Sequence, residues 1–530
     1  MAALSSTKSL AAGLVGSAGN VKPMRAPSST SLLIRLDPRC RGALQQQIYA
    51  GIRQAILDGV LAPGVRLPSS RALAADLDVS RTTTLLALEQ LLAEGYLMAR
   101  RGSGTFVAKE LPDDLALRSA LRPVRGGKHP PLSRRGEAIV AAPQGALRLA
   151  GPPRPFRIGT PGVDLFPVRL WSRLANRRFG SVTAAQLDYG DPAGLRALRE
   201  AIAEHVQTAR GTRCGADQIL VVAGAQQGLD LICRLLLDPG DRAWMEEPGY
   251  PGARSALLAA EARILPVRVD AEGLDVETGV RRAGDARLVY VTPSHQYPLG
   301  VPMSLPRRLA LLKWASAARA WILEDDYDSE FRYGTRPIPC LHGLDTDGRV
   351  IYVGSFSKTL FPALRLGFLI VPPDLQDRLV AARRAADQHP PALDQTVLAD
   401  FIGEGHFARH LRRMRAAYRE RLEAMAAAAD RYCAGVLRLR PVQTGLHTVA
   451  ELEGADAVEV SREAAARGVE VAPLSAYFAG RKKAAAGLVL GFAAARPDAS
   501  GWGMERLATA IEAASRRQAL SKEARRRSLP

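Results

Sequence analysis

The chain reads as two folded parts of different class: a small unit of three helices and a hairpin, then a large α/β unit that ends in a smaller α+β subdomain. Three observations predict this. Apolar residues recur at helical spacing between Leu44 and Leu92 and give way to a pair of short strands tipped by glycine. From residue 156 onward, short apolar runs alternate with helix-length segments, the pattern of a mainly parallel sheet covered on both faces. From about Asp394 the pattern changes again, to long helices and then short strands.

Residues 1–35, rich in Ser, Ala and Gly with no acid before Asp37, are expected to be a disordered tail. A short apolar stretch after Lys8 is broken by Gly13, Gly16 and Gly19, which disfavours a secretory leader, and Met24 competes with Met1 as the start. A folded unit is expected over 36–108. Leu44, Ile48, Ile52, Ala55 and Ile56 mark a first helix that Pro63-Gly64 ends. Pro68-Ser69-Ser70 breaks the chain and offers a capping hydroxyl to a second helix over 71–77. Ser80 caps a third, whose buried stripe is read as Leu85, Leu88, Leu91 and Leu92 and which Gly95 stops. Residues 96–98 and 105–107 then pair around Gly102-Ser103-Gly104.

Residues 109–155, with stretches such as RPVRGGKHPPLSRRG, lack a sustained hydrophobic period and predict a linker. The large α/β part spans 156–390, with strands at 219–222, 242–245, 288–291, 321–323, 350–353 and 368–371. The smaller α+β part spans 391–515, with strands near 436–439, 469–471 and 488–492 and a closing helix from about Gly501. Residues 516–530 read as a solvated basic tail.

At 530 residues the chain needs several cores, given roughly 150 residues per domain. A hydrophobic share of 47% with 24% charged residues is that of a soluble globular protein, and no run of about 18 apolar residues is present to span a bilayer. Cys40, Cys214, Cys233, Cys340 and Cys433 are scattered with no CxxC pair, which fits reduced cytosolic thiols rather than a zinc or redox site. The net charge of +19 is uneven: residues 1–150 hold 20 basic and 10 acidic side chains, so the front of the chain suits a polyanion.

A helix that enters the major groove presents its first turn to base edges, so polar residues stand ahead of its buried stripe. Arg81, Thr82 and Thr83 stand there. Arg71 on the second helix and Arg100-Arg101 at the hairpin tip add cations suited to phosphate or minor-groove contact. A lone arginine is ordinarily a solvated surface charge; here a cap, two threonines, an amphipathic helix and a basic hairpin come in order. The stretch LPSSRALAADLDVSRTTTLLALEQLLAEGYLMARRGSGTFV resembles the winged helix-turn-helix of the GntR family of bacterial regulators, over nearly all of residues 43–108. The resemblance implies that Arg71, Arg81, Thr82, Thr83, Arg101 and Gly102 contact double-stranded operator DNA, and it implies a bacterial cytoplasm.

In the large part, Lys358 in GSFSKTL follows an apolar strand, flanked by Ser355 and Ser357, where a lysine amine is desolvated and reactive. Asp325 in ILEDDYDSEF stands at the carboxyl end of another strand, where ligands sit in open α/β sheets, and Tyr327 follows two residues on. The acids Glu324, Asp325, Asp326 and Asp328 also admit a metal-binding cluster, though no histidine or second acidic motif is an evident partner. Gly224-Ala225-Gln226-Gln227-Gly228 joins a strand to a helix, so free N–H groups suit a phosphate that Arg365 would grip. Tyr250 in EEPGYPG offers a ring for stacking. An amine, an acid, a phosphate cradle and an aromatic cover are the four things that pyridoxal 5'-phosphate asks of a protein.

Together FPVRLW, YGDPAGLRALREAIAEH, VAGAQQGLD, EEPGYPG, VTPSHQYPLG, EDDYDSEFRY and SFSKTLFPALRLGFL resemble fold-type I aminotransferases over most of 156–515. Joined to the GntR-like front, the whole chain resembles the MocR subfamily of regulators. The resemblance implies a Schiff base at Lys358, with Asp325 on the pyridine nitrogen, Tyr327 on the ring's phenolic oxygen and Tyr250 stacked on the ring. It assigns the phosphate to Ala225, Gln226, Ser355, Ser357 and Arg365. It also implies a homodimer in which Tyr189 reaches the phosphate of the neighbouring subunit.

Two positions depart from working aminotransferases. Where those enzymes usually place an asparagine on the ring oxygen, the turn VTPSHQYPLG has Tyr297. Where a strand such as RLGFA carries the arginine that grips the substrate carboxylate, this chain reads Val489-Leu490-Gly491-Phe492-Ala493. Loss of a bidentate clamp impairs the orientation of simple amino acids, with Arg254 and Arg496 as open substitutes. The expectation is a DNA-binding regulator that senses the cofactor or an amine or amino-acid-like effector. The alternative is an active aminotransferase with a DNA-binding appendage.

Overall fold

The computed structural model describes residues 34, 36, 44–111, 132–141, 153–334, 338–479 and 487–527, with side chains described to residue 520. The tail expected over 1–35, apart from Ile34, and Cys40 lie outside the described residues. The chain divides into two compact units, residues 1–131 and 132–530. Among the described residues no helix is long and apolar enough to cross a membrane.

In the first unit, helices Leu44–Leu57, Ser70–Asp76 and Arg81–Ala93 precede strands β1 (Leu97–Arg100) and β2 (Gly104–Val107). The strands pair antiparallel, with Arg100 opposite Gly104. Ser69 Oγ accepts from Ala72 N at 3.2 Å and Ser80 Oγ accepts from Thr83 N at 3.1 Å, so each hydroxyl satisfies an orphan donor of a first turn. The third helix buries Thr84, Ala87, Leu88 and Leu91. Leu85, expected in that stripe, is 40% exposed. Leucines stand on both sides of the true stripe, so hydropathy alone did not choose between them; packing against Ile48, Ile52 and Leu73 does. Gly95 ends the helix with φ 84°, a turn that glycine makes without strain.

The second unit is built on an eight-stranded sheet. Its strands are β3 (Ile219–Val222), β4 (Arg242–Glu247), β5 (Arg263–Asp270), β6 (Gly273–Leu274), β7 (Leu288–Val291), β8 (Trp321–Asp326), β9 (Val350–Ser355) and β10 (Gly367–Ile370). They lie in the order β3-β10-β9-β8-β7-β4-β5-β6. The run from β9 to β5 is parallel, whereas β10 is antiparallel to both β3 and β9, and β6 to β5. β3, β7 and β10 are buried along their whole length, which is why each shows as an uninterrupted apolar run. On one face Leu229, Ile232 and Leu257 pack against Leu220, Met245 and Tyr290. On the other, Trp314 stacks on Trp244 at a centroid separation of 3.7 Å.

A second sheet of β11 (Leu437–Leu439), β12 (His447–Leu452), β13 (Ala472–Pro473) and β14 (Gly487–Gly491) is antiparallel in the order β11-β12-β14-β13. Helices His406–Tyr432 and Pro497–Arg527 pack with it, burying Met414, Met425, Leu507 and Ile511 against Leu488 and Leu490. The last helix runs through residues 516–527, most of the stretch read as a basic tail. Within the stretch read as linker, Arg134–Ala141 is a helix whose Arg135 Nε pairs with Glu261 at 3.0 Å.

Gly194 stands at φ 97°, and a Cβ there would lie 2.6 Å from Val221 Cβ on β3. Gly194→Ala is expected to destabilise the second unit by about 1–3 kcal/mol. The check is thermal unfolding of the full chain, where an unchanged midpoint would contradict this packing.

Candidate functional site

The carboxyl ends of β8 and β9 open onto a cavity of about 410 Å³, the position at which parallel α/β sheets bind ligands. Asp325 and Tyr327 reach it from the end of β8, and Ser355, Ser357 and Lys358 from the end of β9. Ala225 and Gln226 enter after β3, Tyr250 after β4, and Arg365 ahead of β10. Tyr189 is the exception: it is 82% exposed, does not line this cavity, and sets its ring edge-on to His389 at 5.9 Å.

Strand alternation explains why Asp325 alone of three consecutive acids faces the cavity. Its Oδ2 accepts from Tyr290 Oη at 2.7 Å, and its buried Oδ1 has no partner. Burial pushes its carboxyl up to about 7, against the hydrogen bond from Tyr290; neighbouring Asp326 adds to the rise and Lys358 opposes it. Glu324 points away and accepts from the N–H groups of Leu341 and His342 at 2.9 Å each. Asp326 pairs with Arg210 at 3.0 Å and accepts from Tyr352 Oη at 2.8 Å. The acids read as one cluster are therefore dispersed. Asp328 meets a histidine that the sequence did not indicate, with His295 Nδ1 at 3.0 Å.

Lys358 lies on the short helix Phe356–Thr359, and its Nζ donates to Gly159 O at 2.5 Å. Gly224, at φ 90°, leads into helix Ala225–Leu236, whose first N–H groups have no partner within the helix. Arg365 closes this end: its Nη1 would lie 3.5 Å from a Cβ at Gly224. Ser355 Oγ accepts from Ser357 N at 3.2 Å. Tyr250 meets Tyr297 edge-on at 5.6 Å.

Away from that end, Glu470 and His447 line the cavity beside the apolar Leu446, Val471 and Ala472. Val489 is fully buried with Val449, Ala472, Leu474 and Tyr477. Arg254 is turned aside, donating to the carbonyls of Tyr477 and Phe478 at 3.2 Å each, with Glu247 at 3.6 Å. Arg496 is exposed and pairs with Asp498 at 3.0 Å. Neither lines the cavity. Tyr290 and His447, which do, were missed in the sequence. Tyr290 looks there like one more apolar strand residue, and His447 sits in an unmarked stretch before β12.

In the first unit Arg71, Arg81, Thr82, Arg101 and Gly102 are exposed. Thr83 is half-buried, and its Oγ1 lies 2.7 Å from Ser80 Oγ, so its hydroxyl belongs to the helix cap. Arg100, at the end of β1, lays its guanidinium over the Phe106 ring at 5.0 Å.

Residues 44–107 match the family model for bacterial regulatory proteins of the gntR family, and residues 175–483 that for aminotransferase class I and II. The probable rhizopine catabolism regulatory protein MocR of Rhizobium meliloti is 41% identical over 90% of this chain and 96% of its own. The chain belongs to the MocR-type GntR regulators. A second member, the pyridoxine biosynthesis transcriptional regulator PdxR of Corynebacterium glutamicum, is 34% identical over 91% of this chain and 98% of its own. Among solved structures, the α-aminoadipate aminotransferase LysN of Thermus thermophilus is similar with a TM-score of 0.62 and 31% identity, covering 68% of this chain and 92% of that one. That protein was crystallised with N-(5'-phosphopyridoxyl)-L-leucine.

Because Asp325 has a folded-state pKa near 7, above its ordinary 3.8, its contribution to stability is fully present below the ordinary value and is lost as pH rises through about 7. Glu246 and Glu324, also raised to about 7 by burial, act in the same direction. Asp325→Asn in the cofactor-free protein is expected to flatten the fall of the thermal midpoint across that range. Identical slopes in variant and wild type would refute the burial cost.

Proposed function

We propose that this MocR-type regulator binds operator DNA through Arg71, Arg81, Thr82, Arg101 and Gly102, holds pyridoxal 5'-phosphate on Lys358, and changes its DNA affinity when the cofactor, or an amine or amino-acid-like effector captured by it, occupies the cavity. The observation that carries this reading is a single cavity that gathers an amine, a buried carboxylate oxygen without a partner, an aromatic side chain and a basic cradle from separate chain segments. The orphaned Asp325 Oδ1 suits the N–H of a protonated pyridine ring. Arg365, Ser355, Ser357 and the helix start at Ala225 and Gln226 suit a phosphate. Bound there, the cofactor supplies an aldehyde for amines and an electron-withdrawing ring. Tyr250 would cover the ring and Tyr327 meet its phenolic oxygen.

The exposed Tyr189 supports a homodimer in which this residue completes the neighbouring subunit's phosphate site. The buried Val489 and the engaged Arg254 support sensing over turnover, since neither offers a carboxylate clamp to an ordinary amino acid. The relative PdxR is a regulator of pyridoxine biosynthesis, which supports the cofactor itself as one effector.

Adding pyridoxal 5'-phosphate to the purified chain is expected to produce the visible absorbance of a lysine-bound cofactor, and Lys358→Ala to abolish it. A wild type that never absorbs leaves the large unit as a scaffold. Operator binding is expected to change on adding the cofactor or an amine; no change under any condition would sink the sensing role. Arg81→Ala should weaken specific binding by about 1–3 kcal/mol, whereas Arg101→Ala should chiefly lower the salt dependence, by about one unit of slope.

A further inference from the structure

Tyr327, which on the reading above meets the cofactor's phenolic oxygen, is held from behind by a buried pair. Its Oη donates to the backbone carbonyl of His295 at 2.9 Å and lies 3.1 Å from His295 Nδ1. The same Nδ1 is 3.0 Å and 3.2 Å from the two oxygens of Asp328. With Asp328 ionised its oxygens only accept, so Nδ1 carries the proton, and that single N–H is shared between Asp328 and the Tyr327 oxygen.

The pair is built in tightly. Leu446 N donates to Asp328 Oδ2 at 3.1 Å. Gly445, at φ 88°, brings its backbone so close that a Cβ would lie 2.0 Å from His295 Cε1. On its other side His295 faces His447 at a ring separation of 4.8 Å. His447 donates from Nε2 to Pro298 O at 3.1 Å, and burial holds its pKa well below the usual value, so it is neutral. His295, Asp328 and His447 place ligand atoms within 4.8 Å of one another, but these hydrogen bonds already engage them. The titratable groups around Tyr327 include His295 and Asp328 behind it and Asp325, Tyr297 and Glu246, and Lys358 and His447 line the same cavity. Tyr297, standing where aminotransferases place an asparagine on the ring oxygen, directs its own hydroxyl to Tyr477 Oη at 3.5 Å.

We propose that His295 and Asp328 are positioning residues that act through Tyr327. The imidazole N–H occupies one lone pair of the tyrosine oxygen, which leaves the tyrosine's proton free to swing from the His295 carbonyl to an acceptor in the cavity. The pair thereby sets how strongly Tyr327 donates to the cofactor's phenolic oxygen. That donation favours the negative charge on the oxygen and competes with the neighbouring protonated nitrogen for it. Weakening it raises the pH at which the bound cofactor changes its visible spectrum.

The inference rests on cofactor binding as proposed above, and one experiment separates the two. The full-length protein is loaded with pyridoxal 5'-phosphate, and its visible spectrum is titrated against pH for wild type, Tyr327→Phe, His295→Gln, Asp328→Asn and the double variant His295→Gln with Tyr327→Phe. Each single variant is expected to raise the midpoint by up to about one pH unit, the scale of one hydrogen bond. The double variant is expected to match Tyr327→Phe alone, a non-additivity that general loosening of the fold would not produce. Asp328→Asn preserves side-chain size and serves if His295→Gln fails to fold. Unmoved midpoints in a loaded protein, or shifts that add in the double variant, overturn the positioning role alone. A wild type that takes up no cofactor overturns the cofactor reading and this proposal together.

Discussion

The Asp325 carboxylate sits near the carboxyl end of the central strand β8, with one oxygen bonded to Tyr290 and the other bonded to nothing. A buried half-satisfied carboxylate is expensive, and among the described residues Glu246 on β4, whose Oε1 also has no partner, is the other one in the same sheet. Alternation along β8 sends Glu324 and Asp326 to the opposite face, where backbone N–H groups and Arg210 take them up. Parallel neighbours β7 and β9 exclude water from both sides and supply, respectively, Tyr290 beneath the carboxylate and the turn that brings Lys358 to the same cavity.

Around that carboxylate the cavity is polarised from end to end. Arg365 and the start of helix Ala225–Leu236 make one end positive, whereas Val471, Ala472 and Tyr477, backed by Val489, line the cavity beside Glu470 and His447. An elongated ligand with an anionic head therefore has one orientation available. That wall offers shape and aromatic surface rather than a cationic clamp, since Arg254 spends its guanidinium on two carbonyls and Glu247.

Much of this was legible in the sequence, and the exceptions have physical causes. Strands buried on both faces, such as Ile219–Val222 and Leu288–Val291, appear as plain apolar runs. β5 was missed because it is partly exposed near the sheet margin and carries Arg263, Pro266 and Arg268 within its length. Leu85 was placed in the buried stripe of its helix because leucines flank that stripe on both sides. Asp325 faces the cavity and its neighbours Glu324 and Asp326 do not, because adjacency in sequence is opposition in a strand, so the four acids also admitted a cluster in the sequence. His295 escaped notice because its partner Asp328 is 33 positions away and only the fold brings them together. Tyr189 is a different case: its ring is exposed, meets His389 and does not line the cavity.

The segment that follows β8 is also stitched to the segment that precedes β12. Tyr333 N donates to Gln443 O at 3.0 Å, Gly445 N to Phe331 O at 2.8 Å, and Leu446 N to Asp328. One seam thus joins the large sheet to the small one, and Tyr327, Leu446 and His447 along it all line the cavity. A ligand that touches only the phosphate end binds equally well however that seam is set, and equal affinity for two states shifts nothing. One that reached across to Tyr327 and His447 would touch both sides of the seam, and its affinity would depend on their register if the seam had more than one. Each factor of ten in that dependence is about 1.4 kcal/mol of bias between states. On the proposed reading, the capacity to signal would reside less in Lys358, which would hold the cofactor, than in Tyr327, Leu446 and His447, which would meet the rest of the bound molecule.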